Sequence, residues 1–444
     1  MADRQSSTDT PRAPDRGSPF AHAGFRWTIV GLLFLATTIN YIDRQILALL
    51  KLTLDRELGW TNQQYGYVNS AFQATYALSY IVFGWVIDRF GIKIGYTISI
   101  FMWSAAAACH GLVGGVRGFV MARLALGAGE GGSFPSCIKA VAYWFPQRER
   151  ALASSLFNSG ANVGPIIAPM IVPWVAIAFG WRAAFVLAGA AGFLWIGLWL
   201  PIYSSPEDSR FVSDDELAYI RDGRAPASAL PPAIPWGRLF TYRHTWAYIL
   251  VKFLTDPISW FWLIWLPDFF NKTRGFDITG SWMQLVAIYT ISLLLSIAGG
   301  WFSGFLLARG WTATRARKTG LLVFAACVLP VVLALHANVW VAVGLIGLAL
   351  AAHHAWATTF YAIVSDVFPK GSVAAIAGIG GMAGSVGGII FPAVCGWVLD
   401  HYKHLPGGET AGYALLFGIC STAYLVAFLV NHLLAPTFDP IEAV

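Results

Sequence analysis

Long apolar runs separated by short polar breaks dominate this chain, and the runs are too long for strands or for the buried helices of a soluble domain. A helix needs about 20 apolar residues to cross a hydrocarbon core. Read with a window of about 19 residues, the pattern predicts twelve such helices. Their limits fall near 27–50, 63–88, 95–115, 118–144, 150–179 and 182–203, then 244–270, 281–308, 319–337, 339–366, 372–398 and 411–434. The expected organisation is a disordered tail (1–24), a six-helix bundle (25–203), a polar and then Pro/Ala-rich linker (204–243), a second six-helix bundle (244–434) and a short tail (435–444). The first apolar run is long enough to stay as a span, and no cleavable signal pattern precedes it. Ser213-Asp214-Asp215-Glu216 supplies an N-cap and an acidic first turn, so a short interfacial helix is expected in the linker.

Short connections make neighbouring helices antiparallel and adjacent. Six spans on either side of a long linker then suggest an internal repeat. The predicted fold is an all-α membrane protein, with twelve transmembrane helices in two pseudo-symmetric bundles facing each other across a cavity. That arrangement suits alternating access to a midplane site.

Composition agrees: 57% of the 444 residues are hydrophobic and 12% charged, against about 25% charged in soluble domains. The formal charge of +6 informs topology rather than nucleic-acid binding, because the basic residues fall in loops. Arg89, Lys93, Arg148, Arg150, Arg309, Arg315, Arg317, Lys318 and Lys370 share a side with the tails and the linker. Roughly eighteen basic residues lie there against roughly seven opposite, which predicts that this side, with both termini, is cytoplasmic. Arg44, Arg123, Lys139 and Lys252 remain inside spans. Cys109, Cys137, Cys327, Cys395 and Cys420 form no CxxC and read as small buried hydrophobes. HExxH, GxSxG and Walker-type loops are absent, so neither catalytic residues nor a metal nor ATP is expected.

The costliest stretch is Asn40-Tyr41-Ile42-Asp43-Arg44, deep in the first span. An ionisable residue at mid-membrane costs about 2.5–3.5 kcal/mol on insertion scales, so this pair is expected to line an interior cavity. The fourth span supplies Arg123 and Glu130, seven apart and therefore on one helix face, with glycines that admit another helix closely. Two acids and two bases in one bundle sum to zero charge. Protonating one acid leaves an arginine readier for an anion, so proton and anion binding are linked. A permanent ion-pair network that locks helices is the alternative.

Gly84-Trp85-Val86-Ile87-Asp88-Arg89-Phe90-Gly91-Ile92-Lys93 after the second span resembles the GxxxDRxGxK signature of the major facilitator superfamily. Gly84 permits close helix approach, Gly91 permits a tight turn, Asp88 can cap or pair with a neighbouring helix end, and Arg89 and Lys93 hold the loop at the surface. The matching place in the second half, Gly304 to Arg309, has Ala308 where the acid would stand, so a charge latch is expected mainly in the first half. Asn40-Tyr41-x-Asp43-Arg44, with Arg123-x6-Glu130-x3-Phe134-Pro135, is similar to the anion:cation symporter branch of that superfamily. Lys252 to Pro257, His353-His354-Ala355-Trp356 and the glycine-rich 378–384 narrow the likeness to bacterial hexuronate transporters; Thr358-Thr359 departs from it and leaves the sugar acid open. The resemblance implies proton coupling at Asp43 and Glu130, a substrate carboxylate at Arg44, and Arg123 as the partner of an acid.

A sugar acid also needs hydrogen-bonding and aromatic groups along its path. Candidates are Tyr41, Gln73 and Tyr76, Asn158 and Asn162, Lys252, Trp260, His353 and Trp356. Each has a structural alternative: packing for the tyrosines, interhelical contact for the asparagines, an interface ring for Trp260, and a structural role for His353. Lys139 is expected to snorkel to the surface, and Lys252 either faces the cavity as a second anion site or does not. The reading is a monomeric proton:organic-anion symporter in the lipid bilayer, with the proton as its only coupling ion, no other cofactor and a hexuronate as cargo. An aldonate, tartrate-like or aromatic acid is the alternative cargo, and a membrane-embedded enzyme or receptor the remote one.

Overall fold

The computed structural model describes residues 24–221, 234–277, 279–369 and 371–441. The expected N-terminal tail up to residue 23, the Pro/Ala-rich stretch 222–233, Lys370 and residues 442–444 lie outside the described residues. Among the described residues the regular structure is entirely helical.

The first crossing is α1 (Arg26–Leu49), followed by the short α2 (Lys51–Leu58), which ends at Gly59 with φ 61°. Thr61 and Gln64 then cap α3 (Asn62–His110) reciprocally. At 49 residues, a straight α3 would measure about 74 Å, more than twice a hydrocarbon core of about 30 Å. Gly91, with φ 80° and ψ 166°, breaks it into two legs. Ser79 on one leg donates to the Ala128 carbonyl and Ser99 on the other to the Gly129 carbonyl, so the legs form a hairpin around α4 (Val116–Glu130).

The sequence predicts one continuous fourth span over 118–144; the structure divides it into α4 and α5 (Ser133–Trp144) at Gly131-Gly132. Close packing explains the break. Gly129 lies against the backbone of Trp103, Gly131 against Ser79 and Tyr76, and Gly132 against Phe83 and Ser99. Glycines that allow this approach also weaken helix continuity.

The chain continues through α6 (Arg150–Phe179), α7 (Trp181–Ile202), α8 (Asp214–Arg221) and α9 (Trp236–Leu239). Then come α10 (Arg243–Arg274), α11 (Trp282–Ala308), α12 (Ala313–Val328) with a 3-10 extension to Leu335, α13 (Val339–Val367), α14 (Val373–Tyr402) and α15 (Gly408–Leu434). Nine of the described helices are long and apolar enough to cross a membrane. The second leg of α3, the charged α1 and the α4–α5 pair bring the crossings to twelve.

The halves repeat one packing scheme. α1 packs on α6 and α7 as α10 packs on α14 and α15, and the halves meet along two matching seams, α3 with α14 and α6 with α11. One end of the seams is closed. There Lys51 Nζ lies 2.9 Å from Asp268 Oδ1, Gln45 donates to the Tyr289 hydroxyl at 2.7 Å, and Asp400 accepts from the backbone N–H groups of Asn62 at 3.1 Å and Gln63 at 2.7 Å. Towards the other end the helices part: side-chain space at Gly84 on α3 and at Gly378 and Gly381 on α14 is empty. One apolar core accordingly runs through both halves near Lys51, whereas a second belongs to the first half and the linker helix, with Trp260 alone among the described residues packed against it from the other half. The molecule is closed at the Lys51 face and open at the Asp88 face.

Candidate substrate and proton site

The charges singled out in α1 and α4 come together at the level where the halves begin to part. Asp43, Arg44, Arg123 and Glu130 are 3%, 7%, 2% and 0% exposed, so all four face the protein interior rather than lipid. Arg44 Nε donates to Glu130 Oε2 at 2.6 Å. Aromatic rings surround the rest of its guanidinium: Tyr76 at 4.6 Å, Tyr41 at 4.7 Å, Phe72 at 5.3 Å and Trp260 at 5.5 Å. Trp260 belongs to α10, so the enclosure is completed by the second half.

Next to this pair lies polar capacity that the fold does not use. Both carboxylate oxygens of Asp43, Oε1 of Glu130, Nε and Nη2 of Arg123, Nδ2 of Asn40 and both amide atoms of Gln73 are buried without a hydrogen-bond partner. Buried polar atoms are nearly always satisfied, and leaving one unpaired costs about 1–3 kcal/mol, more when it is charged. These atoms lie in the protein interior beside the Arg44–Glu130 pair.

The pairing differs from the one the resemblance implies. Glu130 bonds Arg44, and among the described residues no acid lies within ion-pair distance of Arg123, whose guanidinium rests 5.8 Å from the Phe72 ring. Seven residues do put 123 and 130 on one face, but about 10.5 Å apart along the axis, so each meets α1 separately.

Gln73 joins the site, lying beside Gly388 and Trp260 at the α3–α14 seam. Lys252 stands elsewhere on α10, with Nζ 2.6 Å from Asp256 Oδ2 and 5.2 Å from the Tyr361 ring. His353 shares a 2.7 Å hydrogen bond with the Tyr424 hydroxyl, and Trp356 stacks on Phe360 and meets Tyr424 edge-on, which places both in the aromatic interior of the second half. Asn158 is exposed and Asn162 half-buried on α6.

At the open face, Asp88 pairs with Lys139 of α5 at 2.6 Å, so this lysine reaches the surface to meet an acid. Gly91 makes the turn, the Lys93 carbonyl accepts from Trp199 Nε1 at 3.3 Å, and Arg89 is exposed. Gly84 faces open space, which corrects the expected close approach: in this conformation no helix lies against it. The second half has its own latch despite Ala308. Arg317 of α12 bonds Asp366 of α13 at 3.0 Å and Ser303 of α11 at 2.8 Å.

Further charged residues are recognised only in three dimensions. Lys51 and Arg26 are each 1% exposed, joining the basic residues read as buried. Lys51 bridges Asp55, Asn62 and Asp268, whereas Arg26 bonds Glu149 and Glu216 and thereby fixes α8 against α1 and α6.

Comparison with known proteins agrees with this architecture. Residues 33–392 match the Major Facilitator Superfamily. The hexuronate transporter of Escherichia coli (strain K12) is 30% identical over 415 residues, covering 92% of this chain and 93% of that protein. A probable galactarate/D-glucarate transporter of the same strain is also 30% identical, over 89% of this chain and 92% of that protein. Among solved structures, a bacterial homolog of the human lysosomal transporter Spinster, inward-facing and unoccupied, superposes with a TM-score of 0.74 at 16% identity, covering 95% of this chain and 98% of that one. The chain belongs to the Major Facilitator Superfamily, a family of multi-pass membrane transporters and not of enzymes.

Proposed function

We propose that this protein is a proton-coupled symporter that imports a sugar acid, a hexuronate such as galacturonate or glucuronate, through the bacterial inner membrane as a monomer. The reading rests on one observation above the rest. A buried Arg44–Glu130 pair stands among aromatic rings beside an acid and a second arginine with unused hydrogen-bonding atoms. The sugar-acid cargo named for the relatives supports the choice of substrate class.

With both acids ionised the four charges cancel. A proton on Glu130 frees Arg44 Nε, and the cluster then carries one positive charge for one carboxylate. Asp43 has no bond to lose on either oxygen, so it exchanges its proton without disturbing a partner. Arg44 offers the substrate a planar fork, Tyr41, Tyr76 and Trp260 supply surfaces for the sugar ring, and Gln73 and Arg123 supply further donors. In this reading the Asp88 face, rich in Arg and Lys, is cytoplasmic together with both termini, and the conformation is the one that releases cargo inward.

Purified protein in liposomes should accumulate labelled galacturonate or glucuronate under an inward proton gradient, and an uncoupler should abolish accumulation. Uptake that ignores the gradient would reject coupling. Competition by aldonates, tartrate-like and aromatic acids separates a hexuronate carrier from a carrier of another carboxylate.

A further inference from the structure

The second half holds a charged pair that the Arg44 cluster does not use. Lys252, Asp256 and Trp260 recur every four residues on α10 and so form one stripe. Trp260 ends the stripe at the Arg44 guanidinium. Asp256 lies about 6 Å and Lys252 about 12 Å further along the axis, towards the open face. The ring of Tyr361 over Lys252 belongs to a residue that is half exposed, whereas the side chains of the pair are 7% and 20% exposed. Gly384 of α14 backs the other side: a Cβ there would come within 2.9 Å of Asp256 Cγ, which leaves the carboxylate no room to swing that way.

We infer that Lys252 and Asp256 determine specificity, forming a neutral pair at the far end of the substrate path that receives the hydroxyl groups of a monocarboxylic sugar acid and turns away a second carboxylate. The inference rests on the sugar-acid reading above. One carboxylate occupies Arg44, and an extended six-carbon acid held there carries its other end along the stripe to the level of Asp256. A hydroxyl can donate to Asp256 and accept from Lys252. A carboxylate at the same place meets a lysine already neutralised at 2.6 Å and an acid of its own sign, an arrangement that selects by repulsion.

The test is competition for labelled galacturonate uptake in proteoliposomes, with thermal stabilisation of the purified protein by the same acids as a readout that needs no turnover. In the wild type, galactarate should be weaker than galacturonate and galactonate by about tenfold or more, the scale of a like-charge clash. Asp256→Asn should bring galactarate level with the monocarboxylates, and Asp256→Glu should restore the preference. Lys252→Met/Asp256→Asn should lose the gain, since the lysine that would hold the second carboxylate is gone. Gly384→Ala, which displaces Asp256 without removing it, should shift the ratio in the same direction as Asp256→Asn and decides the matter if that variant does not fold. An unchanged ratio in the folded variants, or a wild type that prefers galactarate, overturns the inference. A wild type that responds to none of these acids overturns the proposed function instead.

Discussion

Lys51, at the end of the first crossing, and Asp268, near the end of the seventh, form a buried ion pair of 2.9 Å that joins the two halves at the closed face. Tyr413 donates to the same carboxylate and Asn62 accepts from the same ammonium, so both charges have additional partners. Removing one member of a buried pair typically costs about 3–5 kcal/mol, because the other charge is left uncompensated. Here that cost falls on the conformation closed at the Lys51 face. Asp268→Asn should therefore open this face, seen as faster hydrogen exchange at the start of α3, residues 62–66. Unchanged exchange there would mean that the pair does not hold the gate.

Asp400 acts at the same face by a different device. Its two oxygens accept from the first free N–H groups of α3, so an acid of the second half caps a helix of the first. Asp400→Ala should lower stability by about 1 kcal/mol, the usual cost of a lost N-cap, measured by thermal melting in detergent. It should add to the effect of Asp268→Asn in exchange at α3. A melting point unchanged from the wild type would count against the cap.

Packing places Glu130. A Cβ on Gly129 would come within 2.9 Å of the Trp103 Cα, a backbone contact that cannot yield. Gly129→Ala should push α4 off the second leg of α3 and lengthen the Arg44–Glu130 contact. The expected outcome is normal membrane insertion with loss of most gradient-driven uptake. Full uptake by this variant would show that the close approach is dispensable.

Arg44 should be irreplaceable in a graded way. A hydrogen bond to a charged group contributes about 1.5–3 kcal/mol, so Arg44→Ala should weaken sugar-acid binding roughly 10- to 100-fold. Arg44→Lys should recover little, since lysine lacks the planar fork and the stacking face that Tyr41 and Tyr76 enclose. Binding titrations on purified protein check both, and unchanged affinity in Arg44→Ala would reassign the carboxylate to Arg123 or Lys252.

Asp43, Arg44, Arg123 and Glu130 could be recognised in the sequence because charge in the middle of an apolar run is costly and has to be enclosed, and helical periodicity then gave their faces. The periodicity could not give the partner. Residues 123 and 130 share a face, yet the pair that forms joins positions 44 and 130, and only the packing of α1 beside α4 decides it. Lys51, Asp268 and Asp400 went unread for the opposite reason. Each stands near a span end, where a charge needs no explanation, and each finds its partner in the other half of the chain. Gly84 shows a further limit: a small residue reports that helices can meet, whereas the conformation decides whether they do.

The coupling role proposed for the Arg44–Glu130 pair is tested most directly by Glu130→Gln in proteoliposomes, comparing accumulation under an inward proton gradient with exchange of labelled for unlabelled sugar acid at equal pH on both sides. The account predicts that accumulation is lost while exchange persists, because the amide keeps Arg44 free for the anion and can no longer carry a proton. Accumulation that remains complete and still follows the pH gradient would contradict it.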